Sequence, residues 1–156
     1  MKTRILACFA ALTILTACAS KPDTENSTQG TATLADTYWK LGRVGEQVIV
    51  TPQGAREMHF VLQSENQRVV GFSGCNRMMG AYALNGSQLK FDQMAGTKMA
   101  CAEASMQIEN EFLAIFPLVS KWEISGQTLR LLDDGGKTLA SFEARQTSPQ
   151  SPTTAN

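Results

Sequence analysis

The chain has 156 residues, 14 basic and 14 acidic side chains, one His, four Cys, and 43% apolar residues. That is enough for one domain, and apolar enough for its middle to fold rather than stay disordered. A balanced charge without a long Lys/Arg run excludes nucleic acid as a partner, because that recognition rests on clustered positive charge.

The first segment does not read as part of the fold. Lys2 and Arg4 precede a mostly apolar run from Ile5 to Ala17, the length of an export signal and too short to span a bilayer. The run ends in Leu15-Thr16-Ala17-Cys18, which resembles the bacterial lipobox. The resemblance implies a signal peptide over residues 1–17, cleavage before Cys18, and lipidation of Cys18. Each buried methylene of the acyl chains would contribute roughly 0.8 kcal/mol, so several chains make a stable anchor. The next residue is Ala19, not the Asp of an inner-membrane retention signal. The expected location is therefore the outer membrane, lipid-anchored, on its periplasmic side. Cleavage removes two basic residues and leaves 139 residues with 12 basic and 14 acidic groups, a net charge of −2. Residues 18–35 are then the lipidated Cys and a polar, Thr-rich tether with neither strand nor helix period.

Residues 36–145 form the expected domain, and their dominant period is two. Glu57–Leu62, Arg68–Phe72, Gln88–Phe91, Lys121–Ile124, Thr128–Leu132 and Thr138–Glu143 read as short strands bounded by turn residues. Asn85-Gly86 suits a type I′ hairpin turn, and Ser125-Gly126-Gln127 and Asp133-Asp134-Gly135-Gly136 join further strand pairs. One segment differs. Glu103 to about Phe116 lacks Gly and Pro, and places Met106, Phe112, Leu113 and Phe116 on one helical face, with Pro117 near its end. The expected class is mainly β (α+β): a small antiparallel, partly open barrel-like sheet with one helix packed on it. Residues 146–156, rich in Pro, Ser and Thr without charge, read as a disordered tail.

The stretch Gly71–Cys101 is the most specific. It carries Gly74-Cys75-Asn76, Gly80, Tyr82, Gly86, Leu89, Phe91, Thr97 and Met99-Ala100-Cys101, followed by Glu111-Phe112, Trp122-Glu123-Ile124, Gly126, Leu129 and Leu131. This pattern resembles the META domain of HslJ-like bacterial proteins over roughly residues 35–144; Trp122 stands where many members carry Tyr. The resemblance implies a small β-rich domain, often behind a lipoprotein signal, linked in some members to heat shock or envelope stress, with no enzymatic activity established for the class. The family fold is also similar to the cracked β-barrel of secretion pilotins.

Once Cys8 leaves with the signal and Cys18 is lipidated, Cys75 and Cys101 remain as an even pair in an oxidising compartment, which points to a structural disulfide. It would close a loop of about 26 residues and stabilise by roughly 3 to 4 kcal/mol. A thiol-redox site is the sharper alternative, disfavoured by the absence of Cys-x-x-Cys spacing. His59, alone in an alternating strand, makes a poor metal ligand and reads as an ordinary strand residue, so neither metal nor cofactor is expected. Ser73 and Ser105 could only use His59 as a base, and nothing in the sequence brings them together. Glu109 and Glu111 lie two apart on the helix and cannot share a face, and Asp133-Asp134 is a turn. No catalytic residue is named. Met78 and Met79, with Met94, Met99 and Met106 nearby, read first as core filling and second as an adaptable binding surface.

Three functions follow in order of preference. The first is a non-enzymatic, monomeric lipoprotein domain that reaches the membrane through Cys18 and contacts an envelope protein through Met78, Met79 and Tyr82. The second is a barrel for a small apolar ligand or lipid, gated by the helix, or a pilotin-like secretion accessory. The third is a thiol oxidoreductase.

Overall fold

The computed structural model describes residues 30–145. The expected signal peptide, Cys18, most of the tether and the tail lie outside the described residues.

Nine strands and one helix follow in order. They are β1 Tyr38–Val44, β2 Gln47–Val48, β3 His59–Gln63, β4 Arg68–Phe72, β5 Arg77–Asn85, β6 Gln88–Gly96, α1 Glu103–Ile115, β7 Lys121–Ser125, β8 Thr128–Leu132 and β9 Thr138–Arg145. All pairings are antiparallel, and β3 to β9 pair in sequence order. β1 closes the ring by pairing with β9 on one edge and β3 on the other, while β2 is a short rung on β1. The ring is thin at one seam. β6 and β7 share a single register pair, Gln88 with Lys121, supported by bonds from the Leu89 and Trp122 N–H groups to the Ser120 and Ser87 carbonyls, each 3.1 Å. The class expected from the period of two, a partly open antiparallel barrel with one helix, is the class observed.

All six expected strands are present. β1, the two-residue β2 and β5 were not among them. In β5 the alternation is erased because its outward Met79 and Ala81 are as apolar as its inward Met78 and Tyr82. The β5–β6 turn also differs from expectation. Asn85 pairs with Gln88 as the last strand residue, so the loop is Gly86-Ser87. Only Gly86 has a positive φ, 57°, which is the type II′ pattern rather than type I′.

The barrel interior is filled by side chains. Trp39, Phe60, Phe112, Phe116 and Phe142 are essentially fully buried. Phe60 meets Phe142, and Phe91 meets Phe116, edge-on at centroid distances of 4.8 Å, a favoured aromatic geometry. The Trp39 indole N–H donates to the Leu34 carbonyl at 2.8 Å, and Leu34 is itself buried. The Ala32 N–H also donates to the Gly126 carbonyl, 2.9 Å away. Residues 32–35, expected to belong to the tether, are therefore part of the fold.

α1 covers the end of the barrel beside the β4–β5 loop and feeds Phe112, Ile115 and Phe116 into the core. A single 3₁₀ turn, Phe116–Leu118, with Pro117 at its second position, carries the chain to β7. The helix register departs from expectation at two positions. Met106 is exposed, and its place on the buried face is taken by Glu109. Residues 108, 109, 112 and 115 lie within one stripe about 120° wide, so the acid occupies an apolar phase.

Candidate functional site

Three segments meet at the helix-covered end of the barrel: the β4–β5 loop Ser73–Asn76, the strand exit Thr97–Cys101, and α1. Gly74 lets the loop double back, with φ of 120° and Met58 where a side chain would point. Cys75 and Cys101 form a disulfide with a Cα–Cα distance of 6.0 Å, tying the loop to the residue just before the α1 cap.

Asn76 is the hub. Its backbone N–H donates to Glu109 Oε1 at 3.0 Å, and its Nδ2 donates to Oε2 at 2.9 Å. Its Oδ1 accepts from the Thr97 hydroxyl at 2.8 Å and from the Met99 N–H at 2.7 Å. Ser73 Oγ lies against Glu109 Oε1 and 2.9 Å from the Asn76 carbonyl, and its single proton belongs with the charged acceptor. Burial alone would raise the Glu109 pKa. Hydrogen bonds from Ser73, from the Asn76 side chain, and from the Asn76 and Cys75 backbones outweigh that and hold the carboxyl below its ordinary value. The carboxylate is thus kept charged with no cation beside it. Among the described residues no buried side-chain nitrogen or oxygen lacks a partner. These groups form a clamp joining loop, strand and helix. Ser73 is fully buried, whereas His59 bonds the Glu57 carbonyl through Nδ1 at 2.8 Å and stacks on Tyr38 at 4.1 Å, so no Ser–His hydrogen bond forms among the described residues. The described residues hold no group of three or more metal-capable side chains.

Above the clamp lies an open cleft of about 490 Å³ between α1 and the strand exit. Met78 forms its floor at 2% exposure, with Met99 at 63% and Met106 at 38% on its rim, beside Leu113 and Lys98. Met78, Met79 and Tyr82 do not form the single contact surface expected of them. Strand alternation turns Met78 and Tyr82 into the core and Met79 to the outside. Of that trio only Met78 reaches the cleft. Glu109 was missed as a site residue because its partners lie 33 and 36 positions away. The readable signal was an acid in the apolar stripe of α1.

The family model of the META domain matches residues 32–146, nearly three quarters of the chain. The chain belongs to the META domain family. This META domain is similar to an NMR structure of a protein from Burkholderia xenovorans, at 32% identity over 72% of this chain and 84% of that one, with a TM-score of 0.58. A second NMR structure shares the fold at 18% identity, covering 70% of this chain and 90% of the other, with a TM-score of 0.56. A crystal structure of a DUF4847 family protein from Bacteroides vulgatus aligns at 17% identity over 74% of this chain and 92% of that one, with a TM-score of 0.45. A comparison with curated proteins gives no match.

Proposed function

We propose that this META domain is a non-enzymatic interaction module of an outer-membrane lipoprotein, held through Cys18 and facing the periplasm, and that it captures a segment of an envelope protein in the Met-lined cleft. The observation that carries the reading is the pair of exposed methionines, Met99 and Met106, on the rim of the cleft above the polar clamp. Thioethers make adaptable apolar surfaces. Lys98 on the same rim joins no ion pair among the described residues, which suits an apolar segment carrying a carboxylate. The cleft also lies at the far end of β4 from the chain ends. Gly30 accepts a bond from Gln127, whose backbone carbonyl receives the Ala144 N–H, so both described termini sit beside the β7–β8 turn. A domain tethered at that end presents the cleft away from its anchor.

The interior packing weighs against the apolar-ligand reading, because five large aromatic side chains occupy the space a ligand would need. The disulfide, locked beside the clamp, weighs against thiol exchange as the main task.

A photo-crosslinking residue at Met99 in the full-length lipoprotein tests the proposal. The expected result is one envelope protein recovered in near-stoichiometric amount, reduced by Lys98→Glu and absent when the same residue replaces Glu123. Equal, diffuse labelling from both positions overturns it. Exchanging residues 1–18 for a cleavable export signal without a lipidated Cys should move the protein from the membrane fraction to the soluble fraction in high salt.

A further inference from the structure

The outside of the barrel is two-sided in a way the proposed cleft does not use. On β7, β8 and β9 the outward residues are polar, with Glu123 opposite Arg130 and Arg130 opposite Ser141, and the Glu123–Arg130 pair is joined at 2.5 Å. That is the expected dress of a solvated antiparallel face. On β3, β4 and β5 the middle of the outward face is apolar, between His59 and Gln63 at the two ends of β3. Register places Val61 opposite Val70, Val70 opposite Met79, and Met79 opposite Ala95, with Phe72 one step along β4 on the same face. Met79 is 43% exposed, and Val61, Val70 and Phe72 are partly exposed.

Arginines frame this strip. Arg77 stands opposite Phe72, Arg56 lies 4.5 Å over the Phe72 ring, and Arg68 stands opposite Ala81 at the other end of the strand. None of the three joins an ion pair among the described residues. Two acids are near: Glu57 is paired with Lys40, and Asp92 stands opposite Ala81. The flanking segments cannot cover the strip, since residues 19–29 and 146–156 carry no side chain more apolar than Ala or Pro. An apolar strip framed by unpaired guanidinium groups fits a surface that is apolar inside and anionic at its rim.

We infer that the β3–β4–β5 face docks on an anionic phospholipid surface, inserting Val70, Phe72 and Met79 among the headgroups while Arg56, Arg68 and Arg77 meet the phosphates. The inference builds on the membrane location proposed above. The eleven residues from Ala19 to Gln29 span up to about 35–40 Å when extended, enough slack for a domain anchored at Cys18 to lie on that face.

The test uses the mature chain made from Ala19 onward, without the signal segment or lipid, and flotation with vesicles of phosphatidylglycerol and phosphatidylethanolamine or of phosphatidylcholine alone. Binding to the anionic vesicles only is expected. An arginine near such a surface contributes about 1 kcal/mol, so Arg77→Gln should weaken partition about fivefold and the triple Arg56, Arg68 and Arg77→Gln variant about a hundredfold. Met79→Glu, at a position that faces outward, should weaken it while leaving the thermal midpoint within a few degrees. Absence of flotation with folded protein overturns the inference, as do equal binding by the triple variant or sedimentation as a dimer that Met79→Glu dissociates. None of those results touches the Met99 crosslinking outcome, so the two proposals fail separately.

Discussion

Glu109 is a charge held inside the protein by donors alone, and its removal should be felt sharply. Glu109→Ala leaves the Asn76 N–H, the Asn76 amide and the Ser73 hydroxyl without their acceptor, and the expected loss is about 3 kcal/mol by urea denaturation. Glu109→Gln keeps one acceptor oxygen and should lose about half as much. The pH dependence has a definite sign. The folded-state pKa lies below the ordinary Glu value of 4.5, so the clamp stabilises fully above that value, and its contribution is lost as pH falls through the folded pKa. Glu109→Gln should flatten the acid limb of a stability–pH curve in that range. His59 acts earlier on the same limb, because burial pushes its pKa below 6.5 and the unfolded chain takes up a proton first. His59→Gln should flatten the curve just below pH 6.5 and leave the Glu109 region intact. The sequence shows Asn76 only as part of the Gly74-Cys75-Asn76 motif, and its side-chain oxygen bonds not its own loop but Thr97 and Met99, 21 and 23 residues away. The sequence could not name Glu109 as the partner, because hydrogen-bond pairing across 33 residues follows from how the helix lands, not from local pattern.

At the scale of elements, the corrected helix register makes its own prediction. Phe112→Ala should cost about 3–5 kcal/mol, as for any large aromatic removed from a packed core, while Met106→Ala should cost less than about 1. Comparable losses at both positions would restore the register read from the sequence. Replacing Cys75 and Cys101 together by Ala should lower stability by about 3.5 kcal/mol for a 26-residue loop, with faster amide exchange in the first turn of α1. Gly71→Ala tests the β3–β4 contact, because a Cβ there would sit 2.2 Å from the His59 carbonyl oxygen. Overpacking against backbone should cost at least about 1–3 kcal/mol and show as a lower thermal midpoint. Most elements were legible because their outward and inward residues differ in polarity. β5 was not, and the reason is physical: its outside is part of the apolar strip, so the signal that reveals an ordinary strand is missing where the surface has another use.

At the scale of the whole molecule, antiparallel class and single helix were readable from turns and periodicity, whereas ring closure was not. Nothing local in Tyr38–Val44 or Thr138–Arg145 says that these strands pair with each other. They do so over six register pairs, interrupted by one bulge. The first and last strands of the domain are therefore each other's neighbours, with the entire fold between them in sequence. A chain emerging from a ribosome or threading through a membrane pore lacks β9 until the end, and β1 meanwhile has only β3 and the two-residue β2 to pair with. Long-range pairing of this kind is slow and arrives late. A version ending at Lys137 should stay protease-sensitive and unfolded, and refolding of the intact domain should show β1 amides protected in the same kinetic phase as those of β9. Closure that waits for the last strand keeps the chain loose until β9 is available, and then commits it in one cooperative step.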